Sequence, residues 1–244
     1  MTERNIKLVL EYDGTDFCGW QIQPQVRTVQ GVLEAALTGL LQHFVRVTVA
    51  GRTDTGVHAM GQVANFVTTS HLPISTLLRG GNALLPRDVR IVDCEQVATK
   101  FHSRFSAKAR SYQYRICQYP RAVGRQYAWH VYHHVSIESM QEACFFLLGE
   151  NDFTSFCQAT SQLDHHRCFV HSANWRKDEK DLIFEITANR FVHNMIRILV
   201  GTFIEIGRGK WSPQEMQSIL QGMDRRLAGP TAPAKGLTFM QVTY

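Results

Sequence analysis

Strand-like and helix-like segments alternate along the chain, and this order constrains the fold more than any single residue does. Residues 5–12 have the apolar and β-branched pattern of a strand, and residues 28–44 carry apolar residues at helical spacing behind Thr28, a favourable N-cap. The elements predicted next are a strand over 45–50, a strand over 61–68, a helix over 73–86 and a strand over 88–98. The first part of the chain therefore has a mixed βαβ order.

The same alternation returns after residue 108. The elements predicted there are strands over 109–119 and 236–244, two strands around a turn at 177–181, and helices over 136–149, 189–207 and 212–223. Ser136 is the expected N-cap of the first of these helices, with Ser139 as the second choice. Ser212 is the expected N-cap of the last helix, with Pro213 at its first helical position.

This repeated order predicts an α+β fold made of two similar halves. Each half is expected to hold a mainly antiparallel sheet with helices on one side, and the active-site cleft is expected between the halves. We place an N-terminal domain at 1–104 and a C-terminal domain at 105–244, joined near residues 100–108.

Composition narrows the class of protein. The chain has 244 residues, of which 44% are hydrophobic and 19% charged, as in ordinary globular proteins. Its six cysteines are widely spaced without a C-x-x-C pair, which indicates reduced thiols and a cytoplasmic location. Charges flank the short apolar run at the N-terminus, so it cannot act as a signal peptide, and no stretch approaches a membrane span.

A basic, aromatic stretch stands out between residues 96 and 137. It contains no Asp or Glu, and aromatic residues are interleaved among its cations, which are Lys100, Arg104, Lys108, Arg110, Arg115, Arg121 and Arg125. Cations that follow a phosphate backbone, next to rings on which unpaired bases stack, are what a surface for single-stranded or looped nucleic acid requires. The alternative is a solvated basic face over a core of aromatic side chains.

Residues 51–59, GRTDTGVHA, contain the Asp-Thr-Gly sequence of aspartic proteases. That chemistry shares one proton between two carboxylates and needs two such loops, whereas a single copy is present here. Asp54 is then either a turn residue, with Gly56 completing the turn and Arg52 as a local ion-pair partner, or a carboxylate nucleophile whose charge Arg52 compensates. The spacing leaves both interpretations open.

No metal or nucleotide cofactor is predicted. The candidate metal ligands between residues 157 and 171 offer only one tight C-x-x-H pair, which favours a loop of solvated histidines; they are Cys157, His165, His166, Cys168 and His171. Residues 206–211, IGRGKW, do not satisfy the phosphate-loop pattern, and Gly207 as the end of a helix explains them. Arg197, at the border of an apolar helical stripe, is either a structural ion-pair residue or a ligand anchor.

Taken together, several segments resemble one family, the TruA-type tRNA pseudouridine synthases. They occur in the family's order and span nearly the whole chain: YDGTDFCGWQIQP, GRTDTGVHAMGQ, KARSYQYRI, DFTSF, NMIRILVGTFIEIGRGK and AGPTAPAKGLTFMQVTY. Each segment alone is a weak signal, but the ordered set is specific.

The resemblance implies an isomerase without metal or cofactor that detaches uracil from ribose, rotates it and rejoins it through carbon. Its substrate would be tRNA, at positions 38–40 of the anticodon stem-loop, and the protein would be a homodimer. Asp54 falls on the family's catalytic aspartate and Arg52 on the arginine that pairs with it and helps to turn the base out. Tyr112 falls on the tyrosine that stacks on the base, and Arg197 on the second active-site arginine.

This chain departs from the family's pattern at Thr55, Met60 and Phe239, where alanine, leucine and leucine are usual. None of these changes removes a reactive group, so they bear on which uridine is preferred more than on the chemistry. In this reading Lys100, Arg104, Lys108 and Arg110 contact the RNA backbone. The competing hypothesis is an RNA-binding protein without catalysis that uses the same basic, aromatic face.

Overall fold

The computed structural model describes residues 3–158 and 165–244. The chain forms two compact units, Met1–Lys108 with Thr238–Tyr244, and Ala109–Leu237. The division falls slightly after the expected boundary at 104, and the last strand groups with the N-terminal unit instead of the C-terminal one. The physical reason is that this strand pairs in parallel with a strand of the first unit, with Thr238 opposite His58 and Phe239 opposite Ala59.

The N-terminal unit contains five strands and two helices among its described residues. They are β1 (Arg4–Tyr12), α1 (Val29–Leu41), β2 (Thr48–Val49), β3 (His58–Thr68), α2 (Ile74–Leu84), β4 (Val89–Val97) and the closing strand, which is β10 (Leu237–Thr243) in chain order. Its sheet has the order β4, β1, β3, β10, with β2 added on β3. β1 is antiparallel to both β3 and β4 and lies between them.

Helix α1 begins where its N-cap signal predicts. The Thr28 hydroxyl accepts a hydrogen bond from the backbone N–H of Gly31 at 3.3 Å, which satisfies one of the donors left unpaired at a helix start. Leu33 and Leu37 of α1 are fully buried, as are Leu8 and Leu10 of β1. The apolar face of the helix and one face of the sheet thus build the core that supports the loops at the strand ends.

The C-terminal unit also combines a mainly antiparallel sheet with helices. Its elements are β5 (Ala109–Cys117), β6 (Trp129–His130), α3 (Ile137–Cys144), β7 (Gly149–Asp152), β8 (Arg167–Asp178), β9 (Asp181–Ala188), α4 (Met195–Gly207) and α5 (Glu215–Gly222). The sheet has the order β5, β9, β8, β7, and β6 pairs in parallel with β5. The predicted α+β class with mainly antiparallel sheets is confirmed.

The core of this unit is aromatic, and α4 lies in it. The rings of Trp175 and Phe184 are 5.1 Å apart, and Phe203 of α4 lies 5.5 Å from Trp175 and 5.0 Å from Phe184. Pairs at these separations stabilise a core beyond the area that they bury. The helix that carries Arg197 is therefore held firmly against the sheet.

Several predicted elements differ in extent from the observed ones, and three of the differences have a visible physical cause. The strand expected over 45–50 has only two residues, because the backbone N–H of Val47 donates to the Glu34 carboxylate at 3.0 Å instead of to a neighbouring strand. The helix expected from residue 189 begins at Met195, after Asn194 in a left-handed conformation with φ of 61°. The helix expected from Pro213 begins at Glu215, because i to i+3 turns occupy the residues before it.

Across the described residues, no helix is long and apolar enough to cross a membrane. All six cysteines are free thiols, and Cys18 alone among them is not buried.

Candidate active site

The loop at residues 51–57, between β2 and β3, carries Asp54. The backbone N–H of Val57 donates to the carbonyl of Asp54 at 3.1 Å, and Gly56 between them has a φ of 77°. A four-residue turn with a positive φ at its third position favours glycine there. The turn that we expected if Asp54 is a turn residue is present, and it fixes the position of the Asp54 backbone.

Side chains alternate along the first part of this loop. Thr53 is only 7% exposed, whereas Arg52 is exposed and Asp54 is half-buried. Thr53 is thus the buried residue of the three, while Arg52 and Asp54 keep access to solvent. Among the described residues the Arg52 guanidinium makes no hydrogen bond or ion pair, so its predicted pairing with Asp54 is not seen here and stays a prediction.

The segment after β1 holds the loop by backbone hydrogen bonds. The N–H of Trp20 donates to the carbonyl of Thr53 at 3.0 Å, and the N–H of Gly56 donates to the carbonyl of Phe17 at 3.3 Å. These bonds join the sequence YDGTDFCGW directly to GRTDTGVHA. Two segments that are far apart in the sequence thus form one structural unit around Asp54.

Two glycines make this close approach sterically feasible. A Cβ atom on Gly14 would lie 2.0 Å from the carbonyl oxygen of Val57, and one on Gly19 would lie 2.8 Å from that of Thr53. Both neighbours are backbone atoms and cannot move aside as a flexible side chain would. Sequence reasoning did not single out these glycines, because their function depends on a contact that spacing does not reveal.

Buried polar side chains lie beneath the loop. The Tyr12 hydroxyl is 2.8 Å from the Thr53 hydroxyl, and the Gln62 amide donates to the carbonyl of Gly51 at 2.7 Å and to the Tyr12 hydroxyl at 3.4 Å. Complete burial raises the pKa of Tyr12 to about 12, against the opposing effect of the hydrogen bonds with Thr53 and Gln62. Tyr12 is therefore a neutral phenol at physiological pH.

An ion pair braces the segment that covers the loop. Arg27 binds both carboxylate oxygens of Asp88, at 2.7 and 2.8 Å, and its guanidinium lies 4.0 Å from the centre of the Phe17 ring. The hydrogen bonds from Arg27 hold the pKa of Asp88 below its usual range. This two-point geometry favours arginine over lysine at position 27.

Arg197 lies in the first turn of α4 in the C-terminal unit. Its Nε donates to the carbonyl of Ala232 at 2.8 Å and its Nη1 donates to the side chain of Asn194 at 2.8 Å. The backbone N–H of Ala232 donates in turn to the carbonyl of Arg197 at 3.0 Å. These bonds fix the guanidinium plane, which suits an anchoring group as well as a structural one.

Tyr112 lies on β5 opposite Ile186 of β9 and is 9% exposed. Its ring meets that of Phe191 edge to face, with centroids 5.0 Å apart and an interplanar angle of 79°. This contact fixes the orientation of the Tyr112 ring. Its stacking on a base stays a prediction.

The four predicted RNA-contacting cations have different surroundings. Lys100, Arg104 and Lys108 are exposed in the N-terminal unit, and the Arg104 guanidinium lies 5.6 Å from the Phe105 ring. Arg110 is half-buried in the other unit and donates to the carbonyl of Asn189 at 2.7 Å. Exposure makes the first three the stronger candidates for phosphate contacts.

The acid-free stretch is not an acid-free surface. Arg115 and Arg121 both bind Asp181, at 2.8 and 2.9 Å, and Arg115 also lies 3.3 Å from Asp178. These carboxylates come from the β8–β9 hairpin, and β9 pairs with β5 so that Cys117 stands opposite Asp181. The interpretation of all the cations in this stretch as one basic face is wrong at these two arginines.

The histidine-rich segment lies partly outside the described residues, which end at 158 and resume at 165. Cys157 and Cys168 are buried, and His166 is half-buried with its Nδ1 3.0 Å from the Thr154 hydroxyl. Within the described residues no group of three or more metal-binding side chains occurs. The prediction of solvated histidines therefore agrees with the exposed His165 and His171 and is wrong for His166.

Comparison with known proteins gives one consistent result. The sequence matches the family described as tRNA pseudouridine synthase over residues 8–106 and 143–244. The protein named tRNA pseudouridine synthase A from Anoxybacillus flavithermus is 43% identical over 99% of this chain and 99% of its own. The protein of that name from Acetivibrio thermocellus is 41% identical over 99% of this chain and 100% of its own. The protein of that name from Halalkalibacterium halodurans is 44% identical over 96% of this chain and 90% of its own.

Among solved structures, the crystal structure of a Cbf5–Nop10–Gar1 complex matches with a TM-score of 0.36 and 12% identity, covering 97% of this chain and 57% of that one. A TM-score of this size does not by itself establish a common fold.

Proposed function

Because the chain belongs to the tRNA pseudouridine synthase family, it is an isomerase that converts uridine to pseudouridine in tRNA, and we propose that Asp54 is the carboxylate that carries out the reaction. The main support is the way in which the loop presents this residue. Thr53 is buried and its hydroxyl is bonded to that of Tyr12, whereas Asp54 is half-buried at the start of a turn, in a loop held by two backbone hydrogen bonds. A half-buried carboxylate on rigid backbone is pre-organised for attack or for proton removal.

The reaction needs no external oxidant, reductant or group donor. The bond between C1′ and N1 breaks, a bond between C1′ and C5 forms, the proton on C5 leaves and N1 ends protonated, so product and substrate are isomers. Asp54 either attacks C1′, attacks C6 of the ring, or removes a sugar proton to give a glycal. Each route requires a carboxylate and is blocked by an amide in its place.

A uridine stacked in RNA hides its glycosidic bond, so the base has to leave the stack at a cost of a few kcal/mol. We assign the stabilisation of the everted nucleotide to three side chains. The exposed Arg52 helps to turn the base out, Tyr112 stacks on it, and Arg197 is the second active-site arginine. In support, Arg197 is fixed by two hydrogen bonds and the Tyr112 ring is oriented by Phe191.

Substitutions at Tyr112 test the stacking role. We expect Tyr112→Phe to keep most of the activity, because the ring face remains, and Tyr112→Leu to lower kcat by about 10-fold to 100-fold, since base–aromatic stacking contributes about 1–3 kcal/mol. Steady-state kinetics on unmodified tRNA would measure this. Equal activity in the wild type and both variants would contradict a role for the ring.

We propose positions 38–40 of the anticodon stem-loop as the target. Purified protein is incubated with an unmodified tRNA transcript, with nothing else added, and pseudouridine is mapped by nucleotide. Modification confined to those positions is the expected result. Modification elsewhere would retain the reaction and overturn the assigned position, whereas tRNA binding without any product would favour the non-catalytic alternative.

The exposed cations Lys100, Arg104 and Lys108, together with Arg110, are proposed to contact the RNA backbone. Binding of tRNA should weaken steeply with salt, and each lysine replaced by glutamine should reduce the slope of log K against log salt by about 1 or less. Titrations with Lys100→Gln and Lys108→Gln measure this, with Lys177→Gln on β8 as the control for lost charge. A slope unchanged in the first two variants would remove these lysines from the interface.

We further propose that the protein is a cytoplasmic homodimer, as the family resemblance implies. The free state of its cysteines supports a reducing compartment. Sedimentation analysis should give twice the mass of one chain, and the mass of a single chain at micromolar concentration would contradict the dimer. Cell fractionation tests the location.

A further inference from the structure

The orientation of the Gln62 side-chain amide is set by its neighbours. Its Nε2 lies 2.7 Å from the carbonyl of Gly51, which only accepts, and its Oε1 lies 3.2 Å from the backbone N–H of Val63, which only donates. The nitrogen that faces Tyr12 at 3.4 Å is therefore a donor. The Tyr12 hydroxyl accepts this bond.

The Tyr12 hydroxyl also bonds to Thr53. The Tyr12 oxygen accepts from Gln62, so its own proton is available for the Thr53 hydroxyl at 2.8 Å. Tyr12 is 2% exposed, Gln62 0% and Thr53 7%, so these bonds are made away from water. In such surroundings hydrogen bonds are strong and the loss of a partner is costly.

The chain of donors attaches to the loop at alternate residues. Gln62 binds the backbone of Gly51 and Tyr12 binds the side chain of Thr53, which lie on the inner side of the loop. Arg52 lies between these two points and is exposed, and Asp54 directly follows the second point and is half-buried. Displacement of Gly51 or Thr53 would shift Arg52 and Asp54 with them.

We propose that Tyr12 and Gln62 are positioning residues of the reaction, which hold Thr53 so that the neighbouring Asp54 carboxylate meets the substrate in a productive geometry. They touch neither substrate nor reacting atoms. This inference rests on the proposed role of Asp54. Since misplacement of a catalytic group by about 1 Å costs on the order of 100-fold in rate, partial release of the loop should lower kcat by about 10-fold and leave KM for tRNA unchanged.

The experiment removes the bond between Tyr12 and Thr53 from each side. Tyr12→Phe deletes one hydroxyl, Thr53→Val deletes the other with little change of shape, and Thr53→Ser keeps it as the conservative variant. Ser103→Ala is the matched control, because the Ser103 hydroxyl is fully buried in the same unit and donates to the carbonyl of Thr48 at 2.7 Å. For each variant kcat, KM, tRNA affinity and Tm are measured.

The expected result is a loss of kcat of about 10-fold in Tyr12→Phe, Thr53→Val and the double variant, because all three lack the bond between Tyr12 and Thr53. Tyr12→Phe also removes the acceptor of the long Gln62 bond, so it should lose at least as much as Thr53→Val. Thr53→Ser and Ser103→Ala should retain kcat within about twofold. The proposal is overturned if Tyr12→Phe and Thr53→Val keep the wild-type kcat, if their losses multiply in the double variant, or if the loss lies in KM. Failure of both single variants to fold would also overturn it, since their role would then be structural.

The Asp54→Asn variant distinguishes failure of the positioning role of Tyr12 from failure of the catalytic role of Asp54. An inactive Asp54→Asn with a fully active Tyr12→Phe refutes the positioning role alone. An active Asp54→Asn refutes the catalytic assignment, whatever Tyr12→Phe does.

Discussion

Replacement of Asp54 by Asn is expected to reduce pseudouridine formation by about 1000-fold or more while tRNA affinity stays within about twofold of the wild type. The amide has almost the same shape as the carboxylate, so the turn from Asp54 to Val57 and the bonds of Thr53 can be kept. What it lacks is the charged oxygen that attacks carbon or removes a proton. Single-turnover modification of a tRNA transcript and direct binding titration measure the two quantities separately.

A second charge change controls for electrostatics. Asp93→Asn alters the net charge by the same amount at an exposed position of β4, and it should modify tRNA at the wild-type rate. If Asp54→Asn also turned over at the wild-type rate, the carboxylate would not take part in the reaction. If it lost binding and activity together, Asp54 would be a binding residue instead.

Replacement of Gly14 by Ala is expected to lower the free energy of unfolding by about 2–4 kcal/mol and to lower activity with it. The added Cβ would lie 2.0 Å from the carbonyl oxygen of Val57, a distance that no real contact allows, so the segment after β1 or the Asp54 loop has to move. Urea denaturation of the purified variant measures the change in stability. Turnover below the unfolding transition measures the change at the site.

Gly39→Ala is the matched control in the same unit. Gly39 lies within α1, and a Cβ there would meet only Leu84, at an ordinary 3.9 Å. Because alanine favours the helix, this variant should be about 0.5–1 kcal/mol more stable than the wild type. A Gly14→Ala protein as stable as the wild type would show that the two segments separate easily and that their contact does not hold Asp54.

The sequence predicted the existence of most elements because their signals are local. The N-caps Thr28 and Ser136 are present where hydrogen-bonding side chains precede apolar periodicity. The predicted boundaries of elements were wrong where a residue distant in sequence bound the backbone, or where the backbone left the helical range of φ and ψ. The Glu34 carboxylate accepts the hydrogen bond from the N–H of Val47, which shortens β2. Asn194 has a left-handed conformation, so α4 begins after it.

In the basic stretch at residues 96–137, the charge composition of the sequence likewise could not predict which cations form ion pairs. Composition along the chain showed an excess of cations and, through it, a preference for a polyanionic partner. Pairing of β5 with β9 then brought Asp178 and Asp181 to Arg115 and Arg121, which no count within the stretch could show. The surface that remains available for RNA depends on strand register.

By itself, the sequence determined the α+β class, the periodic elements and, through the resemblance of its ordered segments, the family and the candidate residues Asp54, Arg52, Tyr112 and Arg197. These follow from residue identity and short-range spacing, which the chain carries in one dimension. Only the tertiary structure decided how the Asp54 loop is held. The contacts of Gly14 and Gly19, and the bonds from Tyr12 and Gln62, join strands and loops that are distant in sequence. Such contacts form only when the chain packs at close range, because hydrogen bonds and steric exclusion act over a few ångströms.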